Sequence, residues 1–237
     1  MTLLAFLVAS AFAAPLTAPL ECEGRVHPDD RYGTVYECTD PAGKKLKIQN
    51  EYEEGFTGTI RLYDKAGKLT SIRRYTKTKQ DGIQEEFFEN GALKRRETMI
   101  DGKNDGPFES YEKPGVPSRK GVYEAGEERE IRDYRDGKLR QVMRYGPGGR
   151  KQGLSEVFHG NGNPDWRASY VDDRRHGRQE TFWENGKPKY VYQFLDDKEH
   201  GLHSEFHQNG QLSRESCYQG GRVVEDMSLC KPSKKDG

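Results

Sequence analysis

Histidines gather late in the chain, at His159, His176, His200, His203 and His207, and two carboxylates, Glu156 and Glu180, hold one column of neighbouring repeats. Imidazoles in such numbers can ligate a metal, and a carboxylate pair can act as acid and base in glycoside hydrolysis. The spacing argues against both. His203 and His207 would stand about 13 Å apart along an extended strand, too far to share an ion. His176 and His200 occupy equivalent positions of neighbouring repeats, as the two carboxylates do, and all of these read as solvated positions of a regular surface. No Gly-rich phosphate loop precedes a helix, and no Ser or Cys nucleophile has a motif around it. The sequence thus predicts no catalytic residue, no metal site and no cofactor, and a protein that is not an enzyme.

What remains is recognition chemistry. Aromatic side chains concentrate at Phe158, Trp166, Tyr170, Phe182, Trp183, Tyr190, Tyr192 and Phe194, which include both tryptophans of the chain, and Arg167, Arg174 and Arg175 lie among them. Trp, Tyr and Arg are the residues favoured at binding hot spots. Trp166, Trp183, Tyr190, Tyr192, Arg167 and Arg174 therefore form the candidate binding patch, against the plainer reading in which the rings only pack on one another. A protein partner or a second copy is its first expected occupant, and an envelope glycan or lipid headgroup the alternative. Nucleic acid is not expected. The chain balances 39 basic against 39 acidic residues, and Arg73-Arg74, Lys94-Arg95-Arg96 and Arg174-Arg175 are offset by Glu85-Glu86 and Asp172-Asp173, so the electrostatic footprint is missing.

The compartment is legible at the N-terminus. Leu3 to Ala14 carries no charge, and Ala11 and Ala13 have the small-x-small spacing of a signal-peptide cleavage site. The basic n-region is lacking, since the first Lys or Arg is Arg25. A membrane anchor would need about 20 apolar residues, and this run meets Pro15 and Pro19 first. Residues 1–13 are expected to be a signal peptide, and the chain to be exported, periplasmic or secreted, with no transmembrane segment after cleavage. Cys22, Cys38, Cys217 and Cys230 form an even set without the two-residue gap of a zinc or redox motif, as befits an oxidising compartment.

These groups are carried by a repeat. Glycines at 58, 82, 106, 153, 177 and 201 are spaced by 24 residues except for one interval of 47, which a degenerate unit opening at Glu128 divides. Nine positions into each unit stands Gly67, Gly91, Gly115, Gly137, Gly162, Gly186 or Gly210. An aromatic column (Tyr63, Phe87, Tyr111, Phe158, Phe182, Phe206), a Leu/Pro column (Leu69, Leu93, Pro117, Leu139, Pro164, Pro188, Leu212) and a second aromatic column (Tyr75, Met99, Tyr123, Tyr145, Tyr170, Phe194, Tyr218) accompany it. A weaker eighth unit spans Thr34 to Thr57.

Each unit reads as a β-hairpin. Phe87-Phe88-Glu89-Asn90-Gly91 and its counterparts end a short strand in Asn-Gly, a strong hairpin signal. A three-residue loop closing on a left-handed glycine sets the first aromatic opposite the Leu/Pro position, and is expected to gather both with the second aromatic on one face. The return turns, of the Asp101-Gly102 and Asp172-Asp173 types, have no assignable register. Some 14–16 strands would make a sheet on the order of 70 Å long. In such an elongated array the chain ends are far apart, leaving Cys22–Cys38 and Cys217–Cys230 as the pairings. Only 32% of the chain is hydrophobic, so ladder hydrogen bonds and stacked rungs must carry much of the stability.

The run of Gly, aromatic, Asn-Gly, aromatic and Asp-Gly-Lys, clearest in Gly82 to Asp105 and Gly153 to Gln211, resembles the bacterial variant of the MORN repeat. The resemblance implies an all-β fold, an elongated single-layer antiparallel β-meander of about seven to eight hairpin repeats with a 24-residue period. It also implies a scaffold or self-associating role, or an immunity role by the antitoxin label that some members carry, and it transfers no catalytic residue. The pattern lapses at Met99, at Asp133 and in the shortened unit around Glu128, so the sheet is expected to be irregular near residues 112–130, with Lys113-Pro114-Gly115-Val116-Pro117 a bulge or bend. The expected organisation is a signal peptide at 1–13, an N-terminal cap at 14–33, the array at 34–221, and a C-terminal cap with a basic tail at 222–237.

Overall fold

The computed structural model describes residues 19–26, 34–48 and 56–230; the expected signal peptide and the basic tail lie outside them. Twenty strands form one sheet. From Gly58 to Val224 the strands pair antiparallel in chain order, the meander that the 24-residue grid predicts, with Lys79–Gln80 and Lys198–Glu199 as short pieces that pair only with the strand before them. The described residues contain no helix long and apolar enough to cross a membrane.

The N-terminal end departs from the meander. Thr34–Thr39 and Lys45–Ile48 form the hairpin of the weak eighth unit, yet it does not pair with Gly58–Tyr63. Leu20–Val26 lies between them, antiparallel to Thr34–Thr39 and parallel to Gly58–Tyr63. Cys22 stands opposite Cys38 in that register and the two are bonded, with Cα atoms 4.0 Å apart. Leu20, Cys22, Tyr36, Cys38, Phe56, Ile60 and Tyr75 form a compact buried cluster around this disulfide. At the other end Cys217 is bonded to Cys230, so both expected pairings are present.

The hairpin tips have the anticipated three-residue loop. Phe88 N–H donates to Ala92 O and Gly91 N–H to Phe88 O, each at 2.8 Å, with Gly91 at φ 81°. The same pattern recurs at 64–68, 159–163, 183–187 and 207–211. Six of the return turns, whose register the sequence leaves open, are two-residue turns with both φ positive: Lys77-Thr78, Asp101-Gly102, Ala125-Gly126, Asp172-Asp173, Asp196-Asp197 and Gly220-Gly221. This is the twist-matched type I′ geometry. The return after Lys138–Arg144 is longer and holds the 3-10 turn Pro147–Gly149.

The tip loop does place the first aromatic opposite the Leu/Pro column: Phe87 pairs with Leu93, Phe158 with Pro164, Phe182 with Pro188 and Phe206 with Leu212. The expectation that the second aromatic shares their face is wrong. Phe194 stands opposite Gly177, and Phe182 lies five residues along that strand from Gly177, an odd interval that puts it on the other side. A one-residue bulge beside each Leu/Pro position causes the switch. The sheet therefore carries an aromatic column on each face.

Near the shortened unit the sheet is continuous. Lys103–Lys113, Val116–Glu124, Glu127–Arg135 and Lys138–Arg144 pair in sequence, and the Pro-Gly segment is absorbed by two register shifts around Pro117. Gly121 is essential to the packing there: a Cβ on it would lie 2.8 Å from the Phe108 ring and against Glu130 O.

Rung-to-rung bonds compensate for the thin core. Each return turn donates a backbone N–H to a carbonyl of the previous turn: Thr78 to Phe56, Gly102 to Gln80, Gly126 to Asn104, Asp197 to Arg175 and Gly221 to Glu199, at 2.7–3.0 Å. At the tips the bonds run forward, from Asn161 Nδ2 to Glu184 O and from Asn185 Nδ2 to Gln208 O. Both edges of the array are thus laced by hydrogen bonds that a hairpin alone would leave to water.

Candidate functional site

Across the strands of residues 153–219 three registers align on one face. Ser155, Ala168, Gln179 and Tyr192 stand opposite one another in turn, flanked by a row of Val157, Trp166, Thr181 and Tyr190 and by pairs placing Tyr170 beside Gly153 and Phe194 beside Gly177. The small central residues, Ser155 and Ala168, are fully buried and Phe194 is buried beside them, while Trp166, Tyr170 and Tyr190 are half-buried. The rings touch in two groups: Trp166 to Tyr170 at 6.3 Å, and Tyr190 to Tyr192 at 5.9 Å and Tyr192 to Phe194 at 6.1 Å between centroids. His203 extends the row, 4.3 Å from Tyr192 and 5.7 Å from Tyr218. Burial pushes the Tyr192 hydroxyl up, with Tyr190 and Glu199 adding to it, and burial does the same at Tyr170.

Trp166, Tyr190 and Tyr192 of the candidate patch are brought together here. Trp183 joins them through Lys189, whose Nζ lies 4.5 Å from the indole and 5.4 Å from the Tyr190 ring, and its Nε1 donates to Phe206 O at 3.2 Å. Arg167 is not part of the group. As the strand neighbour of Trp166 it points to the opposite face, where Nε donates to Glu156 at 3.0 Å and the guanidinium covers Phe182. Arg174 is exposed beside the Asp172-Asp173 turn, opposite Val171. Arg175, 4.1 Å from the Phe194 ring, is the arginine that meets the aromatic row.

The histidines and carboxylates that suggested chemistry are dispersed. His176 Nδ1 lies 3.4 Å from Asp196 and His159 Nε2 3.5 Å from Asp165. Glu156 belongs to a ladder of alternating charge on the opposite face, which runs Arg74, Glu85, Arg96, Glu109, Lys120 over the first repeats and Glu130, Arg144, Glu156, Arg167 over the later ones, at 2.9–4.0 Å per step, and Glu180, opposite Arg167, pairs with Arg178 of its own strand at 2.8 Å. No group of His, Cys, Asp and Glu among the described residues could hold a metal ion.

One cleft adjoins the aromatic row. Its 530 Å³ lie between the tips of the shortened hairpin and its successor, lined by Asp133, Arg135, Arg140, Val157, His159 and Glu184 among others. It follows from the irregular unit: Glu127–Arg135 and Lys138–Arg144 close on the two-residue turn Asp136-Gly137, where the next hairpin carries the longer loop at 159–163. The sequence reading flagged that unit for its lapse but not for this cleft, because only the fold brings the neighbouring tip against it. His203, expected as a solvated position of the repeat surface, instead lies against Tyr192, three strands from Trp166.

Residues 80–101, 175–196 and 199–219 match the family profile described as MORN repeat variant. Those three segments are MORN-variant repeats. Two of the three matched MORN repeats carry Tyr190, Tyr192, Phe194, His203 and Tyr218, so much of the aromatic row stands on the regular part of the array. Trp166 and the cleft's lining other than Glu184 stand on units that the profile does not match. No curated protein matches the chain in sequence. Among solved structures, a variant of S. aureus TarM in complex with fondaparinux, α-GlcNAc-glycerol and UDP is similar over 55% of this chain and 21% of that one, at 11% identity and a TM-score of 0.23. A second TarM crystal structure is similar over 55% and 20% with the same identity and score. The chain thus spans about a fifth of the length of those structures, and likeness at that score carries no argument about this one.

Proposed function

We propose that this protein is a non-enzymatic, exported binding scaffold that holds another envelope component against the aromatic face of its later repeats. One observation carries the reading: Trp166 with Tyr170, and Tyr190 with Tyr192 and His203, form two groups of half-buried rings on one face of a one-layer sheet, Thr181 standing between Trp166 and Tyr190, with no second layer over them among the described residues. Rings of limited flexibility on a laced sheet lose little entropy on binding. Two disulfides, one at each end, are compatible with export, and a periplasmic or secreted location is part of the proposal. The test is retention of envelope components by the immobilised protein. Retention that disappears in Trp166→Ala/Tyr190→Ala/Tyr192→Ala but survives in Phe158→Ala/Phe206→Ala, on the other face, supports it; retention unchanged by the first set contradicts it.

A further inference from the structure

We infer that the occupant of the aromatic row is an acidic glycan, whose carboxylate or phosphate group is held in the cleft beside it by Arg135 and Arg140. The inference rests on reading the row as a binding face.

The cleft and the rings are parts of one line. Asp133 pairs with Gln141, Gln141 with Val157, Val157 with Trp166, Trp166 with Thr181 and Thr181 with Tyr190. Asp133, Gln141 and Val157 line the cleft, so the row passes from it directly to Trp166 and then to Tyr190. At about 4.8 Å per strand the three stations are about 10 Å apart, a spacing that suits a chain of sugar units lying across the strands. The apolar C–H faces of pyranose rings stack on aromatic faces, and their hydroxyls suit the half-wet surroundings.

Charge supplies the rest. Arg135 and Arg140 line the cleft and make no ion pair among the described residues, and Lys138 beside them reaches only a carbonyl, Gly160 O at 3.4 Å. Two of the lining carboxylates are already engaged: Asp133 accepts from Gln141 at 2.5 Å and lies 3.4 Å from Arg119, and Asp165 lies 3.5 Å from His159. Glu184 alone among the lining carboxylates has no cation or imidazole partner among the described residues. On the opposite face arginine is tied to glutamate from strand to strand, whereas Arg135 and Arg140, where the repeat itself is irregular, meet no carboxylate among the described residues. Guanidinium groups bind planar or tetrahedral oxyanions in a fork, which favours an acidic sugar over a neutral one. A protein partner would meet the same rings but has no requirement for the cleft.

The full-length mature protein would be titrated with oligogalacturonate, with dextran phosphate and with neutral dextran of matched length. The expected result is binding of at least one acidic polymer, roughly ten-fold or more tighter than dextran. Arg135→Ala/Arg140→Ala should remove that preference without a change in unfolding midpoint, Trp166→Ala should weaken all binding, and Glu184→Gln should tighten the acidic ligand. Competition by inorganic phosphate would identify the phosphoryl form, and its failure against oligogalacturonate the carboxylate form. Equal binding of dextran, or an acidic preference unaffected by the arginine pair, overturns the inference. If no polymer binds while a photo-reactive residue at position 190 captures a protein, the glycan inference falls and the proposed function stands; if neither occurs, both fall.

Discussion

Phe182 stands opposite Pro188, and a bulge at the next residue sends the two aromatic columns of that hairpin to opposite faces of the sheet. Phe182 is buried beneath Arg167 on one side, whereas Tyr190 and Tyr192 rise on the other. The two sets should therefore respond separately. Phe182→Ala is expected to cost about 2–4 kcal/mol in urea unfolding with ligand retention unchanged, and Tyr192→Ala to lower retention at a smaller cost in stability.

The disulfides differ in what surrounds them. Cys22–Cys38 lies inside the buried cluster of Leu20, Tyr36, Phe56 and Ile60, and ties the inserted first strand to its neighbour. Cys217–Cys230 joins the last hairpin to a short turn of 3-10 helix, Met227–Cys230, with no buried residue. Replacing Cys22 and Cys38 with Ala should cost about 3 kcal/mol or more and broaden the unfolding transition as the N-terminal end melts first. Replacing Cys217 and Cys230 should cost less, both read by thermal unfolding.

Acid should loosen the charged ladder. Burial would push the Glu109 carboxyl up, but hydrogen bonds from Tyr111 and Lys120 and the charge of Lys120 and Arg96 outweigh it and hold it below the ordinary value. A carboxyl depressed in the fold contributes stability that is complete above its unfolded pKa and is lost as pH falls through the folded one. Stability should thus decline on acidification through and below the usual carboxylate range, and Glu109→Gln should flatten that decline. Urea midpoints measured against pH test the difference.

Thr78 occupies the second position of a type I′ turn at φ 70°, a left-handed conformation unfavourable to a β-branched residue. Its backbone N–H donates to Phe56 O at 2.7 Å, a bond any residue keeps. Thr78→Gly should raise stability by about 0.5–1 kcal/mol, a relief of strain partly offset by the freer unfolded chain. A lower melting temperature would contradict it.

The hairpin repeat, the three-residue loops, the aromatic-to-proline pairing and both disulfides were legible because each depends on local turn chemistry or on the 24-residue grid. The allocation of faces was not. Alternation counts residues, and the bulges at positions such as Lys189 and Asp165 insert one that sequence spacing cannot reveal. The insertion of Leu20–Val26 beside Gly58–Tyr63 was equally hidden, since parallel pairing has no turn to announce it. Trp166, Tyr190 and Tyr192, chosen by type and proximity, share one face, whereas Arg167, chosen for its nearness in sequence, points to the other, and Arg135 and Arg140 emerge only when two tips come together.

The most direct test of the binding face is site-specific photo-crosslinking in cells, with a benzophenone amino acid at Tyr190 or, on the opposite face, at Glu180. The account predicts a discrete adduct from position 190 that is lost with Trp166→Ala, and none from position 180. Equal adducts from both positions, or an adduct from position 180 alone, would contradict it.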